Sequence, residues 1–274
     1  MRVAPPVGDG PVVIVVHGVG VGPSAFGPLA GRLTRAGYRV ALVHRPGYGL
    51  ATGDPFTTLA DQVDDLVGVV DRLGRSAPGV ALVGVSGGAT LALLVAVERA
   101  RAGAPAVPVV AHEPLVGPLA PALHRRVARS VADLGHGAGR FVRQLVGDAT
   151  WSLLDDAARA TVIHRPALVA DEARAFARLS PTPDDLTAVR RAGQLVTTVG
   201  DRSGPERHLA AGVLASLAGA RVAVVGGAGH LAHVEAPDAF AATVVAALAT
   251  DASDTSDTSG TTPLGAAAAA GARR

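Results

Sequence analysis

Residues 80–89, VALVGVSGGA, predict a buried strand that turns sharply into a helix. VALVG is an apolar run containing β-branched valines, and the following TLALLVAVERA is typical of an apolar helix. Gly84, Ser86 and Gly88 match G-x-S-x-G, a strained turn that holds a serine hydroxyl exposed. Because the chain contains 34 glycines, a chance match is the alternative reading. The strand before Ser86 and the helix after it favour the turn.

The composition restricts the classes of function. Almost half of the 274 residues are hydrophobic (49%), which is enough for one large α/β domain with an insertion. Cysteine is absent, so disulfides, thiolate metal sites and cysteine nucleophiles are excluded. The formal net charge is only +2 and no dense basic run includes aromatic residues, so nucleic-acid binding is not expected.

The sequence also predicts where the protein works and what it binds. We find no signal peptide and no segment able to span a membrane, so we expect a cytoplasmic protein without a membrane partner. We expect a small-molecule substrate, no cofactor and no metal site. The sequence does not indicate an oligomeric state.

Strand-like and helix-like segments alternate along the first half of the chain. Apolar runs at PVVIVVHG, YRVALVH, VALVG and AVPVVAH are typical of strands buried on both faces, and helical patterns separate them. This alternation predicts an α/β fold with a mostly parallel, doubly wound sheet. Residues 1–11 are rich in Pro and Gly and are expected to be a loose lead-in.

The pattern divides the chain into four segments. Residues 1–112 are predicted to form the first part of the core, and 113–192, which lack a strand-like run, a helical cap insertion. Residues 193–250 resume the strand and helix alternation and complete the core. Residues 251–274 are low in complexity and are expected to be a disordered tail.

From the first strand to residue 249 the chain resembles the α/β-hydrolase fold family, of the kind with a helical cap. Five motifs carry the resemblance in the family's order: HGVGVG, RPGYG, GVSGG, GD after a late strand, and GAGHLAHVEAPDAF. The resemblance implies a serine hydrolase that cleaves an ester-type, thioester, lactone or amide bond of a small, largely apolar substrate through an acyl-enzyme.

The resemblance also implies the catalytic residues. Ser86 would be the nucleophile and His230, in GAGH, its base. Asp201, at the end of QLVTTVGD, would be the acid, which gives the family's chain order Ser, Asp, His. Glu113 is the alternative acid, because some relatives carry theirs after the strand that follows the elbow helix. His233 is a less favoured candidate for the base.

Backbone groups and pocket walls complete the expected site. The oxyanion hole is expected from the backbone N–H groups of Gly87 and Val19, with His17 bracing the loop. Gly18 and Val85 are expected at the substrate pocket, together with the cap aromatics Phe141 and Trp151.

Two other functions fit parts of the sequence. Gly20-x-Gly22-x-x-Ala25 after the first strand satisfies a dinucleotide-binding pattern, with Arg45 able to meet a 2′-phosphate. This reading leaves Ser86, Asp201 and His230 unexplained. The second alternative is a non-hydrolytic enzyme of the same fold, such as a lyase, a cofactor-free oxygenase or perhydrolase, or a biosynthetic thioesterase or cyclase, because fold does not determine reaction.

Overall fold

A computed structural model describes residues 1–6, 10–179, 181–192 and 194–250, and its strands form one seven-stranded sheet. The strands are β1 (Arg2–Val3), β2 (Val12–Val16), β3 (Arg39–His44), β4 (Val80–Val85), β5 (Val109–His112), β6 (Leu195–Gly200) and β7 (Arg221–Val225). Their order is β1-β3-β2-β4-β5-β6-β7. Strands β2 to β7 are parallel, which confirms the predicted sheet.

The lead-in is more ordered than its composition predicts. Arg2 and Val3 pair antiparallel with His44 and Val43 at the edge of the sheet. The expectation of a loose segment was therefore wrong for these two residues, because the free edge of β3 supplies backbone partners that local composition does not reveal.

Helices cover both faces of the sheet. They are α1 (Gly27–Arg35), α2 (Leu59–Gly74), α3 (Gly87–Arg101), α4 (Pro121–Ala132), α5 (Ala138–Val146), α6 (Asp148–Leu153), α7 (Asp156–His164), α8 (Pro166–Arg178), α9 (Pro183–Ala192), α10 (Pro205–Ala218), α11 (Ala232–Glu235) and α12 (Pro237–Thr250). Side chains alternate along β2: Val12, Ile14 and Val16 belong to the apolar cluster on the face covered by α2, α3, α9 and α10, whereas Val13 and Val15 belong to the cluster on the face covered by α1 and α12. All five β2 residues are buried, as a doubly covered parallel strand requires.

The helices between β5 and β6 belong to two packing groups. Helices α4 to α8 pack largely against one another, and we call them the inserted helices. Helix α9 packs against α3 and α10 in the layer that covers one face of the sheet. The prediction for residues 251–274 lies outside the described residues.

A search of the described residues for membrane-crossing helices finds none of sufficient length and apolar character.

Candidate active site

The turn after β4 has the strained geometry that G-x-S-x-G predicts. Ser86 has φ 56° and ψ −124°, a left-handed backbone region that a serine rarely adopts. A Cβ at Gly84 would lie 2.4 Å from the Gly88 carbonyl oxygen, and one at Gly88 would lie 2.1 Å from that of Val16. Larger residues at either position would collide with backbone, so the tight turn requires both glycines.

Several chemistry-bearing residues meet at the carboxyl edge of the sheet. Ser86 follows β4, Glu113 follows β5, Asp201 follows β6 and His230 lies in the loop after β7. In a parallel sheet all of these loops emerge at the same edge, which is the usual place for a ligand site. The loop of residues 17–20, after β2, lies at this edge as well.

Ser86, His230 and Glu113 form a chain of hydrogen bonds. His230 Nδ1 lies 2.7 Å from Glu113 Oε2, and His230 Nε2 lies 3.0 Å from Ser86 Oγ. Because a carboxylate only accepts, Nδ1 must carry the ring proton, which leaves the Nε2 lone pair for the serine hydroxyl. The structure therefore brings Ser86 and His230 together as expected from the sequence.

Asp201 does not lie where a partner of the His230 imidazole is expected. Its two oxygens accept the backbone N–H groups of Gly227 and Ala228 at 2.9 and 3.1 Å, so it closes the loop before His230 rather than contacting the imidazole. Strand order alone does not exclude Asp201, because β6 lies beside β7, the strand before the loop of His230. The contacts distinguish the two carboxylates: Asp201 accepts from backbone N–H groups, whereas Glu113 Oε2 lies 2.7 Å from His230 Nδ1.

Both carboxylate oxygens of Glu113 have partners. Its Oε1 accepts the Gly200 N–H at 3.1 Å and the Ser203 hydroxyl. Its Oε2 accepts from His230 Nδ1 and forms a salt bridge with Arg207, whose Nε lies 3.1 Å away. Its backbone φ of 51° is the other left-handed value among described non-glycine residues. The carboxylate is therefore fixed in position before any substrate arrives.

The protonation states of Glu113 and His230 follow from their burial and from the charges around them. Burial alone favours the protonated form of Glu113, but the hydrogen bond with His230 and the charge of Arg207 outweigh it and hold the carboxyl pKa well below its usual range. Burial, reinforced by the charge of Arg207, lowers the pKa of His230 to about 4 although Glu113 opposes the shift. Glu113 is thus ionised and His230 neutral at pH 7.

Two neighbours of the site escaped the sequence analysis. His112 Nδ1 lies 2.9 Å from Thr198 Oγ1 and its Nε2 lies 3.1 Å from the Gly229 carbonyl oxygen, so it braces the residue before His230. A histidine ending an otherwise apolar strand was the available signal. Arg207 lies within a helical pattern and had no signal of its own.

The loop of residues 17–20 lies directly against the turn at Ser86. A Cβ at Gly18 would lie 3.1 Å from Ser86 Cβ and 3.5 Å from the backbone nitrogen of Gly87. Gly87 begins α3, so its N–H is one of those without an acceptor in the preceding turn. His17 donates from Nδ1 to the Gly18 carbonyl oxygen at 3.0 Å and accepts the Arg45 N–H at Nε2, 3.3 Å away. The oxyanion role of Val19 and Gly87 stays a prediction.

A mostly apolar cavity opens at Ser86. Gly18, Val19, Val85 and Phe141, all candidates from the sequence, line it together with Ser86, Arg207, His230 and His233. The inserted helices contribute further apolar walls, namely Val127, Val142, Leu145, Val146, Ala173 and Phe176.

Trp151 does not lie where the sequence analysis placed it. It is absent from the described lining of the cavity and borders a separate surface groove with Arg140 and Arg143. Its helix, α6, packs against α5 and α11. The expectation rested on Trp151 being an aromatic residue of the cap, which does not determine the face on which it lies.

His233 is buried away from the chain of hydrogen bonds. Its ring stacks on Phe26 with centroids 3.8 Å apart, and neither ring nitrogen has a hydrogen-bond partner among the described residues. His230, not His233, therefore reaches the serine.

Comparisons with known proteins agree with the fold. The chain is similar to a lipase-esterase related protein from Clostridium acetobutylicum, with a TM-score of 0.71, 16% identity, and coverage of 89% of this chain and 97% of the other. A carboxylesterase structure from Nitrososphaera gargenis gives 0.69 at 15% identity, covering 92% and 95%. MenH from S. aureus gives 0.67 at 17% identity, covering 90% and 97%.

No curated protein matches the sequence. At such identities the structural similarities show a shared fold and no more. The sequence itself gives a more specific result, because residues 13–243 match one family along most of the chain. The chain therefore belongs to the alpha/beta hydrolase family.

Proposed function

We propose that this protein is a serine hydrolase that cleaves an ester-type bond of a small, largely apolar substrate, with Ser86 as nucleophile, His230 as base and Glu113 as acid. The observation that carries the proposal is the chain of hydrogen bonds from Ser86 Oγ through His230 to Glu113. Membership of the alpha/beta hydrolase family, and solved structures of esterases among those of similar fold, support hydrolysis in general.

Acylation begins with the neutral imidazole. As Ser86 Oγ attacks the substrate carbonyl carbon, its proton passes to His230 Nε2, and the carbonyl π electrons move onto oxygen. Glu113 stabilises the imidazolium through the bond to Nδ1. When the tetrahedral intermediate collapses, the bond to the leaving alcohol breaks and His230 returns the proton to that oxygen.

Deacylation repeats these steps with water. His230 removes a proton from a water molecule, whose oxygen attacks the acyl carbon, and then protonates Ser86 Oγ as the acid product leaves. In both steps the negative oxygen needs donors. The N–H groups of Gly87 and Val19 are proposed for this role because the loop of residues 17–20 lies against the turn.

The apolar walls of the cavity favour a substrate with an apolar acyl group. Its walls near Ser86 are mainly Val, Leu and Phe side chains, which gain more from burying hydrocarbon than from binding charge. A thioester, lactone or amide would use the same residues.

A fluorophosphonate probe tests the proposal. An activated serine displaces fluoride and forms a stable adduct, so intact-mass analysis should show one adduct, and peptide mapping should place it on Ser86. Heat-denatured protein is the control and should remain unlabelled. A folded protein without an adduct would overturn the proposal. Labelling without turnover of p-nitrophenyl acetate or butyrate would favour non-hydrolytic chemistry on the same serine.

We expect kcat/KM to fall on the acid side only at an unusually low pH. Only neutral His230 can accept the serine proton, so activity should be present at pH 7 and fall as pH decreases through about 4. The measurement is kcat/KM for p-nitrophenyl butyrate between pH 3.5 and 7.5. Circular dichroism over the same range separates titration from unfolding. A limb near 6.5 in folded protein, the ordinary histidine value, would contradict this prediction.

A further inference from the structure

A buried polar cluster joins α8 of the inserted helices to the turn after β3 and to α2. Arg45 and Glu172 form an ion pair with 2.5 Å between Nη2 and Oε1, and both side chains are fully buried. Arg45 Nε donates to Gln62 Oε1 at 2.9 Å, and the Tyr48 hydroxyl donates to Glu172 Oε2. None of these four residues belongs to the chain of hydrogen bonds that contains Ser86.

This cluster contacts the peptide group between Gly18 and Val19. Arg45 Nη1 donates to the Gly18 carbonyl oxygen at 3.1 Å. In a trans peptide the C=O of one residue and the N–H of the next point in opposite directions, so fixing the Gly18 carbonyl fixes the Val19 N–H. Donors on the carbonyl also polarise the peptide and strengthen its N–H as a donor.

The other side of Val19 is fixed by the same cluster. The Gly20 N–H donates to the Tyr48 hydroxyl oxygen at 2.9 Å, while that hydroxyl donates its own proton to Glu172. Glu172 thus anchors two of the groups that hold the loop, Arg45 and Tyr48; the third is His17, whose Nδ1 also donates to the Gly18 carbonyl oxygen. Arg45 and Tyr48, both in the turn after β3, therefore depend on one carboxylate of α8.

Phe176, one turn after Glu172 on α8, packs against Gly87, whose N–H is the second proposed oxyanion donor. A Cβ on Gly87 would lie 2.8 Å from ring atoms of Phe176, so the ring lies directly against this residue. The same ring lies 5.3 Å from the guanidinium carbon of Arg45, a cation–π distance. Residues four apart share a helix face, so Glu172 and Phe176 present one surface of α8 to both donors.

We infer that α8 positions the oxyanion hole, with Glu172 orienting the Val19 N–H through Arg45 and Tyr48 and with Phe176 packed against Gly87. The inference rests on the proposed function. Glu172 is a positioning residue, because it acts through other groups and does not line the described cavity. The insertion therefore supplies part of the catalytic geometry as well as walls for the substrate.

The main test replaces Glu172 by Gln. The neutral amide removes the charge that balances Arg45, so we expect the kcat for p-nitrophenyl acetate to fall by about 10- to 100-fold, below the roughly 10²- to 10³-fold loss for removing a donor outright. KM should change less than about 2-fold, since the donors act on charge that develops in the transition state. Fluorophosphonate labelling of Ser86 should slow by a similar factor to kcat.

Asp171→Asn is the matched control. It makes the same change of acid to amide one residue earlier on α8, where the side chain is 58% exposed and pairs with Arg174. Both kinetic constants should stay within about 2-fold of wild type. Melting temperatures of both variants show whether a loss of activity comes from lower stability or from a changed orientation of the oxyanion-hole N–H groups.

A second variant covers the case in which Glu172→Gln fails to fold. Tyr48→Phe keeps the Arg45–Glu172 pair but removes the acceptor of the Gly20 N–H, and kcat should fall by about 3- to 30-fold with KM nearly unchanged.

Folded variants with a lowered melting temperature but wild-type kcat and labelling rate would overturn the inference while leaving the serine hydrolase intact. A wild-type protein that is not labelled at all would contradict the proposed function, and the inference with it.

Discussion

Ser86→Ala is expected to lower kcat/KM for p-nitrophenyl butyrate by about four to six orders of magnitude, the range seen when a serine nucleophile is removed. The alanine has no oxygen to attack the carbonyl, and His230 Nε2 loses the hydroxyl 3.0 Å away. The fold should survive, because Gly84 and Gly88 keep the turn tight and the change deletes a single atom. Residual turnover would come from binding and oxyanion donors alone.

Ser152→Ala is the control for this experiment. Ser152 is an exposed serine on α6, where its hydroxyl donates to the Asp148 carbonyl oxygen. It should retain wild-type activity and fluorophosphonate labelling, whereas Ser86→Ala should lose both. Undiminished activity of a folded Ser86→Ala protein, free of wild-type contamination, would rule out the proposed mechanism.

Glu113→Gln is expected to lower kcat by about 10³- to 10⁴-fold, the size of effect known for amide replacement of a triad acid. The amide can donate to His230 Nδ1, which would place the ring proton on Nε2 and remove the base. It also cannot stabilise the imidazolium. Arg207, buried and bound to Glu113 Oε2, would lose its partner, so we also expect destabilisation of about 3–5 kcal/mol.

Asp201→Asn is the decisive comparison with Glu113→Gln. Asp201 accepts backbone N–H groups of Gly227 and Ala228, and an asparagine oxygen can keep one of these bonds. Its kcat should fall by less than about 10-fold. Both variants should be assayed at a temperature at which thermal denaturation shows that they are folded. A large loss for Asp201→Asn with near-normal Glu113→Gln would restore Asp201 as the acid.

The sequence by itself determined the framework of this protein. Apolar β-branched runs predicted the parallel strands because both faces of such strands are buried, and Gly84 and Gly88 predicted the turn because only glycine fits there. Ser86 could be singled out because its motif has a local structural requirement, and His230 because GAGH resembles the family's motif. These features depend on neighbours within about ten residues, which a sequence displays directly.

Only the tertiary structure decided which groups meet. Glu113 and Asp201 both follow strands at the same edge of the sheet, so local pattern could not choose between them. The three-dimensional contacts distinguish them: Glu113 lies 2.7 Å from His230 Nδ1, whereas Asp201 closes the loop after β7. Arg207 beside Glu113, and Glu172 beside Arg45, are likewise pairs separated by long stretches of chain. Their contacts arise from packing between distant elements, and no periodicity or motif in the sequence encodes such a meeting locally.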